Sequence, residues 1–333
     1  MDLRQRTRRF GLWIILCACL IRLAAEGIPD RLLQWMLDEN AIPFLIYSET
    51  GRNVRFFLPA EDRRDHARES PEPWIPEPEP EPVFFSEELL RLVDVDYDCS
   101  LRPDLKALLE KPLDWNLRGE EPAVLILHTH TTESYTKAGE TYEETARYRT
   151  LEEDYNMLSI GDAVAEVLTQ AGIGVVHSRE IHDYPSYNGS YVHARKSVLR
   201  ILEQHPTVCL ILDLHRDAAE TDGTQMRTEA WVDGELGAQL MFVVGTDASR
   251  QSHKNWEENM ALALKLQVVL QQHSPGIMRP INLRAQRFNQ DLSPGALLVE
   301  VGAAGNTRQE ALTAARKLAE ALVYLANGTE SGR

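Results

Sequence analysis

The feature that most constrains the fold is a short apolar segment, Val124–Leu127, which contains no polar residue. A run this short is typical of a strand that is buried on both faces of a sheet. His128, His130 and Glu133 follow it directly, and their side chains can bind metals or carry protons. Because α/β proteins place their sites at the carboxyl edge of the strands, the segment predicts a strand that ends in a functional site.

Strand and helix candidates alternate from this segment to the end of the chain. The strand candidates are Val124–His128, Ile173–His177, Val208–Leu214, Leu240–Gly245, Ile281–Arg284 and Leu297–Val301. The helix candidates are Met157–Gln170, His193–Glu203, Trp256–His273 and Thr307–Leu325. The alternation predicts an α/β domain over residues 120–328, with an open, mostly parallel sheet sandwiched by helices in three layers. Too few units are present for an eight-stranded barrel.

The N-terminal third has a different character. Four arginines precede the apolar run Phe10–Ile21, which is the pattern of an export signal. Residues 1–26 are therefore predicted to be a signal peptide or, preferably, a signal anchor, which would place the rest of the chain outside the cytoplasmic membrane. Residues 27–119 are predicted to form an extracytoplasmic linker region. Within it, the Pro- and Glu-rich stretch 71–82 should be an extended spacer, because proline prevents helix and ladder bonding.

Composition excludes several classes of function. The formal net charge is -16, with 51 acidic and 35 basic residues, which argues against a basic nucleic-acid-binding surface. The chain has four cysteines and no CxxC pair, so a cysteine zinc site is not expected. No GxSxG elbow, HExxH helix or Walker loop is present.

Chemistry-bearing residues lie at three strand ends. His130 follows the first strand, His215 and Arg216 end the third strand candidate, and Glu300 interrupts the last one. Two histidines and a carboxylate would make a zinc site with an open position, and a second carboxylate would then act as general base. The alternative is that each histidine is a hydrogen-bonded structural residue. Three such ends on one parallel sheet favour the metal site.

Two further segments are candidates for substrate contacts. The loop 182–191 is rich in aromatic, hydroxyl and amide groups, and its Tyr187 and Asn188 suit contacts to sugars and peptides. Arg287 and Gln290 precede the last strand and could contact a substrate carboxylate. Both segments could equally be exposed polar loops.

Several motifs resemble, in the same order, those of the stage II sporulation protein P family of cell-wall hydrolases. They are His128–Tyr135 (HTHTTESY), Asp183–Asn188 (DYPSYN), Asp213–Asp217 (DLHRD), Phe242–Thr246 (FVVGT), Asn255–Asn259 (NWEEN), Arg287–Asp291 (RFNQD) and Leu298–Gly302 (LVEVG). The resemblance covers roughly residues 120–328. It implies an amidase_3-like fold and a zinc-dependent N-acetylmuramoyl-L-alanine amidase that cleaves the lactyl–L-alanine amide of peptidoglycan. Peptide cross-link endopeptidase activity is also implied.

The resemblance also implies roles for individual residues. His130 and His215 would bind zinc, Glu300 would be the catalytic glutamate, and Arg216 would orient substrate carboxylates. Glu133 is the preferred third ligand, and His128 would be a ligand or would support one. The alternative third ligands are Glu152, Glu153 and Asp154.

The implied setting is the sporulation septum during engulfment, at the cell membrane. The implied partners there are stage II sporulation proteins D and M. A non-catalytic wall-binding module, or an activator of another wall hydrolase, is the alternative function.

Overall fold

The computed structural model describes residues 85–113 and 115–328. The strands are β1 (Val95–Asp98), β2 (Gly119–Leu127), β3 (Ile173–His177), β4 (Leu210–Asp217), β5 (Glu220–Thr221), β6 (Thr224–Gln225), β7 (Ala230–Val232), β8 (Glu235–Gly237), β9 (Leu240–Gly245), β10 (Ile281–Arg284) and β11 (Ala296–Ala303). The α-helices are α1 (Leu105–Glu110), α2 (Met157–Gln170), α3 (Ser190–Gln204), α4 (Trp256–His273) and α5 (Arg308–Gly328). Three 3₁₀ helices lie at Glu87–Leu92, Glu153–Tyr155 and Gln290–Leu292.

Seven strands form the central sheet in the order β1-β10-β9-β11-β4-β2-β3. Five of the six neighbouring pairs are parallel, and β9 and β11 form the antiparallel pair. The prediction of a mostly parallel sheet with helices is therefore confirmed. The antiparallel junction was not predicted, because hydrophobic pattern carries no information about strand direction.

The two faces of the sheet are covered unequally. The large core joins one face of the sheet to α1, α2, α4 and α5, and it includes Val124 and Ile126. Leu125 and Leu127 point to the other face, where they pack with Ala194, Val198 and Ile201 of α3 in a small core. α3 packs on the β3, β2, β4 and β11 part of that face. On the β9 part, Met241 and Val243 instead pack with Leu298 and Phe288 and with no residue of α3. We call this second side the open face.

All ten predicted elements of the α/β domain are present, because their apolar residues follow the strand or helix period, and five of them have the predicted bounds. The sequence also predicts a helix from Phe84 to Val93, with Ser86 as its N-cap, but the structure has a shorter 3₁₀ helix there, at Glu87–Leu92. Residues 95–98 and 105–110, which sequence analysis assigned to the linker region, supply the edge strand β1 and the helix α1.

In the described ranges, no helix is long and apolar enough to cross a membrane. The predicted anchor (residues 1–26) and the predicted spacer (residues 71–82) lie outside these ranges.

Candidate active site

Strand register brings the three predicted strand ends together on the open face. Glu300 on β11 lies beside His215 on β4, and Leu127 at the end of β2 lies beside Asp213 on β4. Residues two apart on one strand share a face, so Asp213 and His215 point the same way. The chain leaving β2 therefore carries His130 to the side of His215, which in turn lies beside Glu300.

His130 and His215 form the centre of the site. Their rings are nearly perpendicular, with centroids 5.3 Å apart. Both side chains are buried. Both His130 Nδ1 and His215 Nε2 are inaccessible to solvent. His130 Nδ1 makes no hydrogen bond, whereas His215 Nε2 lies 3.0 Å from the Asp213 carboxylate. A buried polar nitrogen without a partner is costly, so His130 Nδ1 marks a place where a ligand belongs.

Glu133 lies against this histidine pair. Its carboxylate oxygens are 3.6 Å from His215 Nδ1 and 3.3 Å from Arg149 Nη2. Burial raises the pKa of Glu133, but the Arg216 guanidinium and His215 outweigh burial and hold that pKa well below its usual range. Glu133 is therefore an ionised carboxylate beside two imidazoles, an environment that suits the third ligand implied by the resemblance.

Arg216 supports Glu133 instead of facing a substrate. It is buried, and its backbone N–H donates to Glu133 Oε2 at 3.3 Å. Its Nε donates to the carbonyl of Ser134, and its Nη2 donates to the carbonyl of Tyr148. The predicted role in orienting substrate carboxylates does not fit this position, because the guanidinium is already engaged inside the protein.

Glu300 provides a carboxylate for proton transfer. Its Oε2 is inaccessible to solvent and has no hydrogen-bond partner. Burial raises the pKa of Glu300 to about 8; the nearby His215 opposes this rise and Glu133 reinforces it. A carboxyl group whose pKa lies near neutrality suits general acid–base catalysis.

His128 has a different environment from His130. Its Nδ1 contacts the carbonyl of Leu214 at 3.1 Å, and its Nε2 contacts His177 Nε2 at 2.9 Å. The two rings pack over Gly161 of α2, on the helix-covered side of the sheet. With both nitrogens engaged, neither is available to a metal, so the contacts favour the supporting role over the ligand role.

Of the four predicted substrate residues, Tyr187 borders the site, Asn188 lies beside it in sequence, and Arg287 and Gln290 are engaged with other residues. Tyr187 stacks on His130 with centroids 4.3 Å apart, and its ring is half exposed. Asn188 is exposed on the same loop, and Arg287 lies 3.5 Å from Asp291. Gln290 is buried and bonds the backbone of Gly245 and Val243. Its amide therefore holds the loop after β9 and is not free for substrate.

The alternative third ligands lie elsewhere. Glu152 accepts a hydrogen bond from the backbone of Glu143, and Glu153 pairs with Arg179 at 2.6 Å. Asp154 is exposed. None of the three makes a recorded contact with His130 or His215, so the geometry favours Glu133.

Sequence analysis missed several residues that shape the site. Asp213 accepts hydrogen bonds from Thr129 N and Oγ1 at 2.7 and 2.6 Å, and it lies 3.0 Å from His215 Nε2. Burial lowers the pKa of His215, but Asp213 and Glu133 outweigh burial and raise it above its ordinary value. Tyr191 adds an aromatic wall, with its ring 5.7 Å from that of His130. A polar Asp213 inside an apolar strand was the available signal.

The residues suit a divalent metal by their chemistry. Two buried imidazoles and an ionised carboxylate are the donor set of a His₂-carboxylate zinc site. Among the described residues, no three His, Cys, Asp or Glu side chains are already arranged to hold an ion. The fit therefore rests on donor type and on the unpartnered Nδ1 of His130.

Several solved structures of amidases resemble the chain weakly. They include N-acetylmuramoyl-L-alanine amidase AmiC2 of Nostoc punctiforme (16% identity, 64% of this chain and 96% of that chain, TM-score 0.36). Ami1 from Mycobacterium smegmatis is 16% identical, and the match covers 64% of this chain and 98% of that chain with a TM-score of 0.36. The CwlD amidase from Clostridioides difficile, solved in complex with the GerS lipoprotein, is 15% identical. That match covers 61% of this chain and 95% of that chain with a TM-score of 0.36.

Sequence comparison gives a firmer result. Stage II sporulation protein P of Bacillus subtilis (strain 168) is 31% identical over 215 residues, which is 61% of this chain. The match spans 50% of that curated relative. The model of the family described as stage II sporulation protein P matches residues 60–323, most of the chain and all three strand ends. This chain therefore belongs to the stage II sporulation protein P family.

Proposed function

We propose that the chain is a zinc-dependent N-acetylmuramoyl-L-alanine amidase that hydrolyses peptidoglycan during sporulation. One observation carries the proposal: two buried histidines, one of them with an unpartnered nitrogen, lie together beside an ionised glutamate, and Glu300 is in register with His215. Family membership supports the proposal, because it agrees with the wall-hydrolase chemistry that these residues could perform.

Each residue has a role in this proposal. His130, His215 and Glu133 would hold zinc, which would supply Lewis acidity toward the amide carbonyl of the substrate. Glu300 would accept a proton from the attacking water at Oε2 and would return it to the leaving amine nitrogen. Arg216 keeps Glu133 ionised and in place. Tyr187 and Tyr191 wall the histidines and limit access of water to them.

The test is digestion of purified sacculi by the full chain in detergent, with zinc and then with a chelator. We expect about one zinc per chain. Mass spectrometry should find glycan freed of its stem peptides, and the chelator should stop their release. The matched pair of variants is Glu300→Gln, which should be inactive, and the exposed Glu203→Gln, which should be active. Undigested sacculi from zinc-loaded protein would contradict the proposal.

The same digestion separates the alternatives. An endopeptidase that acts on cross-links would release monomeric stems still attached to the glycan. A non-catalytic wall-binding module or activator would leave sacculi intact, and Glu300→Gln would bind them as well as the unchanged chain does.

The proposed setting follows the family. We propose that residues 1–26 hold the chain at the cell membrane, with the catalytic domain facing the wall of the sporulation septum. Stage II sporulation proteins D and M are the proposed partners. Fractionation of sporulating cells should find the chain in the membrane fraction, and deletion of residues 1–26 should remove it from that fraction.

A further inference from the structure

A polar cavity of about 260 Å³ lies on the open face next to the candidate active site. Sheet register explains its position. Asp96, Asn282 and Val243 lie side by side on β1, β10 and β9, and Met241 lies beside Glu300. The polar residues that line the cavity are Asp96, Asp217, Arg279, Asn282, Arg284 and Glu300.

The cavity offers groups of both charges. Arg279 pairs with Asp217 at 2.8 Å, and this contact uses one of the five N–H donors of the guanidinium. Arg284 pairs with Asp98 at 2.9 Å at the rim. Each arginine keeps further donors that could meet a carboxylate.

The cavity also offers acceptors on β1 and β10. Asp96 is exposed on the edge strand and makes no ion pair with another described residue. Asn282 Oδ1, on the neighbouring strand, is inaccessible to solvent and has no hydrogen-bond partner. A carboxylate and an amide oxygen that lack donors suit an ammonium group.

The distance from the histidines suits a peptide. β10 is three strands away from β4, which is about 14 Å at the usual strand spacing. An extended peptide advances about 3.3–3.6 Å per residue. A stem whose first amide lies at His215 would therefore reach the cavity with its third or fourth residue, or with a long side chain of the third.

We propose that this cavity is a subsite for a stem-peptide residue whose side chain ends in both an ammonium group and a carboxylate. The proposal rests on the proposed function for the location of the scissile amide. The ammonium would meet Asp96 and Asn282, and the carboxylate would meet the remaining donors of Arg279 and Arg284. Recognition there would select the peptide of the wall while the histidine site acts on the amide.

The test measures binding of free peptides, which needs no hydrolysis. Calorimetry of the full chain in detergent would compare three tripeptides that differ at the third residue. The first is L-Ala-γ-D-Glu-2,6-diaminopimelic acid, whose third side chain ends in an ammonium group and a carboxylate. The second has its terminal carboxylate converted to a carboxamide, and the third has its terminal amine acetylated. We expect the first to bind about tenfold more tightly than either of the others, because charge-assisted bonds are lost in both.

Two variants test which residue binds the carboxylate of the peptide and which binds its ammonium group. Arg284→Gln should abolish the preference over the carboxamide, and Asp96→Asn should abolish the preference over the acetylated peptide. Both positions are at the accessible rim, and a melting temperature checks that each variant folds. Arg316→Gln, exposed on α5, is the matched control and should keep both preferences.

The outcomes separate this inference from the proposed function. Equal binding of the three peptides, or preferences that survive both substitutions, would overturn the subsite even if sacculi are digested. A clear preference by a chain that leaves sacculi intact would support the subsite and would contradict the amidase proposal.

Discussion

Two pairs of histidines lie at neighbouring strand ends, and their surroundings differ. His130 and His215, which we call the open-face pair, do not bond to each other: His130 Nδ1 is buried without a partner, and His215 Nε2 meets the Asp213 carboxylate. His128 and His177, which we call the covered pair, bond to each other, and their outer nitrogens bond Leu214 O and Asp162 Oδ1. The fully bonded pair is part of the scaffold, whereas the unpartnered nitrogen of the open-face pair needs a ligand. Residue type alone does not distinguish the two.

The largest expected effect tests this comparison directly. His130→Ala or His215→Ala should lose bound zinc and wall hydrolysis together, because each removes a donor. His177→Ala should keep its zinc and most of its activity, because it only supports His128. Metal analysis and stem-peptide release measure the two results. Loss of zinc from His177→Ala with retention by His130→Ala would reverse the assignment.

The second effect separates catalysis from metal binding. Glu300→Gln should lower kcat by about 10²–10⁴-fold, because it removes the group that accepts and returns a proton. Zinc content should be unchanged, since Glu300 is not one of the proposed ligands. If Glu300→Gln also loses its zinc, Glu300 is a ligand and Glu133 must be reassigned.

The third effect concerns the covered pair and stability. A Cβ at Gly161 would lie 2.4 Å from His177 Nε2 and 2.7 Å from His128 Nε2. Gly161→Ala should therefore lower the free energy of unfolding by about 1–3 kcal/mol, although alanine normally favours a helix. Urea unfolding measures this change in the free energy of unfolding. In a His177→Ala background the same substitution should cost less, because only the contact with His128 remains and that ring can move into the vacated space. A stabilising effect in the unchanged chain would refute the packing argument.

The smallest effect is a pH dependence. Burial lowers the pKa of His177, against the opposing influence of Asp162. The folded chain therefore binds this proton less readily than the unfolded chain. The contribution of neutral His177 to the free energy of unfolding is therefore present above about pH 6.5 and is lost as the pH falls below that value. Urea unfolding between pH 7.5 and 5 should show a steeper fall in stability for the unchanged chain than for His177→Gln. Identical slopes would mean that His177 does not contribute.

Much of the fold was predictable because it depends on local pattern. β3, β9 and β10 and helices α2 and α4 begin and end where the apolar period predicts. The segment from Val95 to Glu110 was missed because a four-residue strand and a six-residue helix are too short to show a period. The antiparallel pairing of β9 with β11 was missed because strand direction depends on where the connecting chain runs.

The site was predicted in part for a similar reason. His130, His215, Glu133 and Glu300 follow or lie in apolar strands, so their approximate position follows from the sheet. Arg216 and Gln290 were given substrate roles because they are polar and lie near the motifs. Both are buried by contacts to distant backbone, with Arg216 reaching Ser134 and Tyr148, and Gln290 reaching Val243. Contacts between residues far apart in sequence leave no local pattern.

The sequence by itself therefore determined which strands are buried and which strand ends carry chemistry, because burial imposes a period that residues show locally. Only the tertiary structure decided that His128 faces α2 while His130 faces His215, since the chain leaves the strand period after Leu127. It also decided that Glu300 lies beside His215, because register depends on how distant strands pack. The open-face cavity is likewise a product of unequal helix coverage, which no single segment specifies.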